Sequence, residues 1–151
     1  MKDQVQTFLP YADFAASARV LDPRRLGKQR VEALQVLRGL TVAGYGWRHH
    51  PAVKMWAGCE EALVRYGLEM CAAWSALGHA DTVAATLLDA RGPARAQEEL
   101  TRAGAVPAWL GREDVHRSHR SALVRKDPAF YGPLVPDAEP GEPYVWPAAG
   151  A

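Results

Sequence analysis

Apolar residues recur at helical spacing along much of this chain. Leu26, Ala33, Leu34, Leu37 and Leu40 fall on one face at about 100° per residue. Asp22-Pro23 supplies an N-cap and a first-turn proline ahead of them, and Gly44 and Gly46 end the run. His50-Pro51 opens a longer stripe of Trp56, Leu63, Tyr66, Met70, Trp74 and Leu77, closed by Gly78. Glu113 to Lys126 carries a third amphipathic pattern, stopped by Asp127-Pro128. The pattern predicts main helices near 23–41, 51–77 and 113–126. Asp81-Thr82 should cap a short helix to about Leu88, broken at Gly92-Pro93, with a polar helix near 94–102 to follow. Pro107 and Gly111 bracket a loop that holds Trp109.

No segment alternates as a strand would. The expected fold is all-α, a single helical domain over 1–151, with an extended proline-rich tail over 132–151 held to the body by Tyr144-Val145-Trp146. Leu34, Leu37, Leu63, Tyr66, Met70, Trp74 and Leu123 should share one core.

At 151 residues the chain can enclose such a core, and no apolar run approaches the ~20 residues of a membrane span. The opening Met1-Lys2-Asp3-Gln4 has no apolar export-signal stretch, so a cytoplasmic protein is expected; a monomer associated with the nucleoid is a separate expectation. Cys59 and Cys71, placed on one helix, would lie about 18 Å apart and cannot bridge. Net charge is only +1, but residues 19–54 carry +6 and residues 112–126 carry +3. Two basic segments set between acidic ones can build one positive face. Solvated helix surfaces would carry the same charges.

Within the first long helix, Glu32 lies off the apolar stripe in a strip with Arg25, Lys28 and Gln29. Cations around a carboxylate favour its ionised form. A simple Lys28–Glu32 ion pair fits the spacing equally well. Arg30 falls on the stripe, so it should pair with an acid across the core or reach into a pocket. The Gly44–Pro51 loop offers Trp47, Arg48, His49 and His50, groups able to stack on and grip an unstacked nucleotide; Trp47 as a plug between helices is an equal reading. His116 and His119 are three residues apart, which allows a metal site only with a third ligand, and an inward hydrogen-bonded pair is the plainer reading. Arg112, Arg117, Arg120 and Arg125 surround the same helix.

Several strings together carry a resemblance. They are Gln6-Thr7-Phe8-Leu9-Pro10-Tyr11, Arg25-Leu26-Gly27-Lys28-Gln29-Arg30-Val31-Glu32-Ala33-Leu34 and Gly46-Trp47-Arg48-His49-His50-Pro51-Ala52-Val53. His116-Arg117-Ser118-His119, Arg125-Lys126-Asp127-Pro128-Ala129-Phe130-Tyr131 and Pro143-Tyr144-Val145-Trp146-Pro147 complete them. In order and spacing they resemble a bacterial branch of the pyrimidine-dimer DNA glycosylase family. The resemblance implies a helical domain without metal or cofactor, acting on double-stranded DNA with a damaged base turned out of the duplex. It implies an amine that attacks C1′ of the damaged nucleotide, an imine, and strand cleavage by β-elimination. Glu32 matches the essential helix carboxylate. Thr7 would supply the amine if a processed N-terminus exposed it. Lys2 after Met1 opposes such processing, and Lys28, one turn before Glu32, is the alternative amine. Arg24, Arg25, Gln29, Arg30, Trp47, Arg48, His50, Arg117, His119, Arg120 and Lys126 are the expected DNA and substrate contacts. A non-catalytic nucleic-acid-binding protein and a histidine-based metal-dependent hydrolase are the alternatives.

Overall fold

A computed structural model describes residues 5–46 and 48–149. Among them are eight helices and no strand: α1 (Phe14–Val20), α2 (Pro23–Thr41), α3 (Pro51–Lys54), α4 (Glu60–Ala76), α5 (Val83–Arg91), α6 (Gln97–Arg102), α7 (Glu113–Lys126) and α8 (Pro128–Tyr131). The all-α expectation holds. α2 begins where its cap dictates, with the Asp22 side chain accepting from the Arg25 N–H and Pro23 in the first turn.

The helix expected over 51–77 is divided. Pro51–Lys54 forms one turn, and α4 starts only at Glu60. Gly58 between them has φ +82°, a left-handed conformation that ends a helix and that only glycine adopts freely. The Cys59 backbone then caps α4, while Cys71 lies within it; both thiols are free. Two short helices, α1 and α8, carry too few residues to show a periodic stripe.

α4 is the central element and packs on α2, α1, α5 and α6. Its Gly67 lets the helices close up: a Cβ there would stand 3.2 Å from Ala33 Cβ and 2.7 Å from Leu87 Cδ1. Leu34, Leu37, Leu63, Tyr66, Met70 and Leu123 are buried as expected, whereas Trp74 is only partly buried. Trp56 and Trp109 fill the centre with ring centroids 5.3 Å apart, and Trp109 Nε1 donates to the Met55 carbonyl at 2.7 Å.

A non-helical N-terminal thread, residues 5–10, runs between the α2–α4 pair and α7. Its peptide groups cannot bond to each other, so side chains satisfy them. The Phe8 N–H donates to Gln29 Oε1 at 2.8 Å, and the Tyr66 hydroxyl reaches the Phe8 carbonyl at 2.7 Å. Leu9 is held at both ends: its N–H donates to His119 Nδ1 and its carbonyl meets His116 Nδ1, both at 2.8 Å. Arg120 donates to the Pro10 carbonyl at 2.7 Å.

The tail is pinned along α7. Arg125 donates to the carbonyls of Pro140 and Glu142, Arg117 pairs with Glu142 at 2.9 Å, and the Val145 N–H donates to Ser118 Oγ at 3.2 Å. These contacts fix Tyr144 and Trp146 beside the N-terminal thread. No helix among the described residues is long and apolar enough to cross a membrane.

Candidate functional site

The thread, the first half of α2, the end of α7, the head of α3 and the tail enclose a cavity of about 800 Å³. Glu32 is in its wall. The Gln6 N–H donates to Glu32 Oε1 at 2.8 Å, and Gln29 Nε2 approaches the same oxygen at 3.4 Å. Lys28, Arg24 and Arg25 extend the wall along α2, and Arg125 and Lys126 face them from α7.

Opposite expectation, the Glu32 carboxyl is pushed above the usual carboxylate range. Burial is the largest cause, outweighing the Gln6 amide, Lys28, Gln29 and Lys126, all of which favour the anion. The cations stand beside an acid that has lost much of its water, and the desolvation cost wins. The same balance acts in reverse on Lys126. Burial and the neighbouring Arg25, Arg125 and Lys28 hold its ammonium below the ordinary lysine value, with Glu32 opposing.

Arg25 has a structural task as well. It bonds Asp22 at 3.0 Å and lies 5.9 Å from the centre of the Tyr131 ring. Tyr131 donates its hydroxyl proton to Asp22 Oδ1 and accepts from the Asp22 N–H at 2.9 Å. Although burial opposes it, bonds from Tyr131 and Arg25 keep the Asp22 carboxyl low. α8 is thereby tied to the start of α2, which fixes one rim of the cavity. The other rim is aromatic. Tyr144 and Trp146 have centroids 5.2 Å apart, His50 stands 5.9 Å from Trp146, and the Tyr144 hydroxyl engages the Gln6 side chain.

Of the residues expected at the site, Glu32, Lys28, Arg24, Arg25, Gln29, His50 and Lys126 line this one cavity. Thr7 does not. It is fully buried, its N–H donates to its neighbour's Gln6 Oε1 at 3.0 Å, and its hydroxyl accepts from Trp56 Nε1 at 3.1 Å. The nitrogen that meets Glu32 belongs to Gln6, one residue earlier than the motif suggested. Arg30 does not reach the cavity either; it pairs with Asp81 and lies 4.6 Å from the centre of the Trp74 ring. Of the two fates open to it, the acid partner is the one observed.

His119 lies behind the cavity wall, fully buried, with its ring edge-on to Phe8 and Tyr144. Arg117 and Arg120 are committed to Glu142, Glu113 and the Pro10 carbonyl, and they border a second depression with Tyr11. Arg48 is exposed and does not line the cavity, and Trp47 lies outside the described residues.

The His116/His119 spacing is explained by the thread. With Leu9 N–H donating to His119 Nδ1, that ring carries its proton on Nε2. His116 must donate from Nδ1 to the Leu9 carbonyl, because its Nε2 accepts from the Gly111 N–H at 2.9 Å. Three of the four ring nitrogens are thus occupied by backbone. Among the described residues no group of three His, Cys, Asp or Glu side chains is placed to hold a metal ion.

Sequence reasoning missed Val5, Gln6, Arg125, Tyr144 and Trp146 as cavity residues. The aromatic pair was visible only as a tail anchor.

A half-buried carboxyl in a basic cleft with one aromatic rim, carried on a wholly helical scaffold, is the class of site that the described residues form. The comparison with known families gives that class a lineage. The family model described as pyrimidine dimer DNA glycosylase matches residues 5–87, and the chain belongs to that family. The match spans α1 to most of α5 and includes Glu32, Lys28, Gln29 and His50; α7 and the tail lie beyond it. No curated protein and no solved structure matches.

Proposed function

We propose that this protein is a DNA-repair glycosylase that cleaves the glycosidic bond of damaged pyrimidines in double-stranded DNA, with Glu32 as its central carboxyl group. The observation that carries this reading is the position of Glu32: half-buried, raised in pKa, and set in a cavity rimmed by five cations from two helices. Departure of a base leaves positive charge on the sugar, and a carboxylate within reach stabilises it. A carboxyl whose pKa burial raises holds a proton longer as an acid, and takes one more readily as a base, than a free carboxyl does, which suits opening of the sugar ring.

Arg24 and Lys28, cations of the cavity wall, are the groups that would take backbone phosphates. About 800 Å³ accommodates a nucleotide turned out of the helix, with Tyr144 and Trp146 presenting rings for it to meet. An amine in the same cavity would add lyase activity, through an imine at C1′ followed by β-elimination.

The test is incubation with a duplex carrying one pyrimidine dimer, beside an undamaged duplex of the same sequence. Glycosidic bonds should break at the dimer alone. Binding to the damaged duplex with no bond broken at any pH between 5 and 9 would support the non-catalytic alternative.

A further inference from the structure

The basic side chains of this protein fall into two populations. From Arg65 to Arg125 every arginine is tied to a carboxylate or a backbone carbonyl. Between residues 19 and 54 the balance is reversed. Arg19, Arg24, Lys28, Arg38, Arg48 and Lys54 make no ion pair or side-chain hydrogen bond among the described residues. The two acids of that stretch are engaged elsewhere, Asp22 with Arg25 and Tyr131, and Glu32 in the cavity wall.

On α2 the unpaired cations stand in one file. Arg24, Lys28, Val31, Gln35, Arg38 and Val42 follow each other at intervals of three or four residues, so at about 100° per residue they share one outward face. All but Gln35 are exposed, and the file contains no acid. It begins at the cavity, whose wall includes Arg24 and Lys28. Arg38 stands in the last turn, about 21 Å along the axis from Arg24 at 1.5 Å per residue. Arg48, in the loop that follows the helix, is exposed as well. A basic face without acids, continuous with the cavity, suits a long polyanion that extends beyond it. Base pairs of duplex DNA rise 3.4 Å each, so about 21 Å is roughly six of them.

Taking its ligand from the glycosylase reading above, we propose that the outward face of α2 is a track for the duplex on one side of the damaged nucleotide, with Arg38 on a backbone phosphate of that flank. Val31 and Val42 would meet the sugars between phosphates. A phosphate contact carries no base information. Arg38 therefore strengthens binding of damaged and undamaged DNA alike, and it takes no part in bond cleavage.

The test is binding measured against salt, on a duplex of about 25 base pairs with a central dimer and on its undamaged counterpart. Arg38→Gln should flatten the log–log slope by about 0.9 on both, and Arg38→Lys should keep it. Arg102→Gln, which removes an exposed cation paired with Glu98 on α6, should also keep it. Cleavage by Arg38→Gln at saturating enzyme should match wild type. Cutting one flank to about three base pairs should erase the difference between wild type and Arg38→Gln, whereas cutting the other flank should preserve it. An unchanged slope in Arg38→Gln, an equal loss in Arg102→Gln, or an Arg38→Gln loss that survives trimming of either flank overturns the track. If wild type cleaves at the dimer, that failure leaves the glycosylase reading standing. The expected slopes in a protein that cleaves nothing keep the track and remove that reading.

Discussion

Glu32 and His119 show how far burial can move a group from what its neighbours in sequence suggest. His119 is neutral because nothing around it repays desolvation; burial, followed by the nearby His116, lowers its pKa from 6.5 to about 3. An unfolded chain binds a proton there below pH 6.5 and the native chain does not, so stability is lost as pH falls from about 6.5 toward 3. Chemical denaturation across that interval should show the loss, and His119→Gln should flatten it; an unchanged slope in the variant would clear His119 of the effect. Glu32 contributes with the opposite sign, because its folded pKa is raised, and it favours the folded state at the acid side of its own window. Its place beside the cations of α2 was legible in the sequence, since a polar residue off an apolar stripe must face water or a cleft. The upward shift of its pKa was not. That depends on how much solvent the thread and tail exclude, which no local pattern records. Arg30 illustrates the same limit: its partner Asp81 is 51 residues away, beyond the reach of periodicity.

At the scale of elements, α2 and α7 were readable to the residue because each has local punctuation, Asp22-Pro23 before one and Asp127-Pro128 after the other. The break between α3 and α4 was hidden because Trp56 continues the apolar pattern across it. Gly58 holds the break through its backbone alone, since a Cβ there would meet nothing within 4 Å. Gly58→Ala should therefore cost about 1–2 kcal/mol in unfolding free energy with no change in packing. No loss would mean the turn tolerates a side chain. The thread was the least legible element. Its strings served only as a motif, yet it is what α2, α4 and α7 close around. Tyr66→Phe removes one hydroxyl that reaches both the Phe8 carbonyl and Gln29 Oε1. A buried carbonyl left unbonded costs about 1–3 kcal/mol, readable by denaturant midpoint. A midpoint equal to wild type would show that the Tyr66 hydroxyl adds nothing to the hold on the thread.

For the whole molecule, the cations of the two basic segments divide between two places. The cations of α2 and the end of α7 surround the cavity, while Arg117 and Arg120 hold the tail and thread. The log–log salt dependence of damaged-DNA binding should accordingly flatten by about 0.9 for each of Arg24→Gln and Lys28→Gln. Arg117→Gln should leave the slope unchanged; the reverse pattern would move the DNA surface to the second depression. Everything in this account converges on Glu32, and one comparison tests it most directly. Wild type and Glu32→Gln are to be measured on the same single-dimer duplex, with the single-turnover rate of bond cleavage and the dissociation constant read from one preparation. The account predicts a rate loss of at least about 100-fold, the scale of a lost acid–base group, with affinity within a few-fold. Equal rates in the two proteins would contradict it.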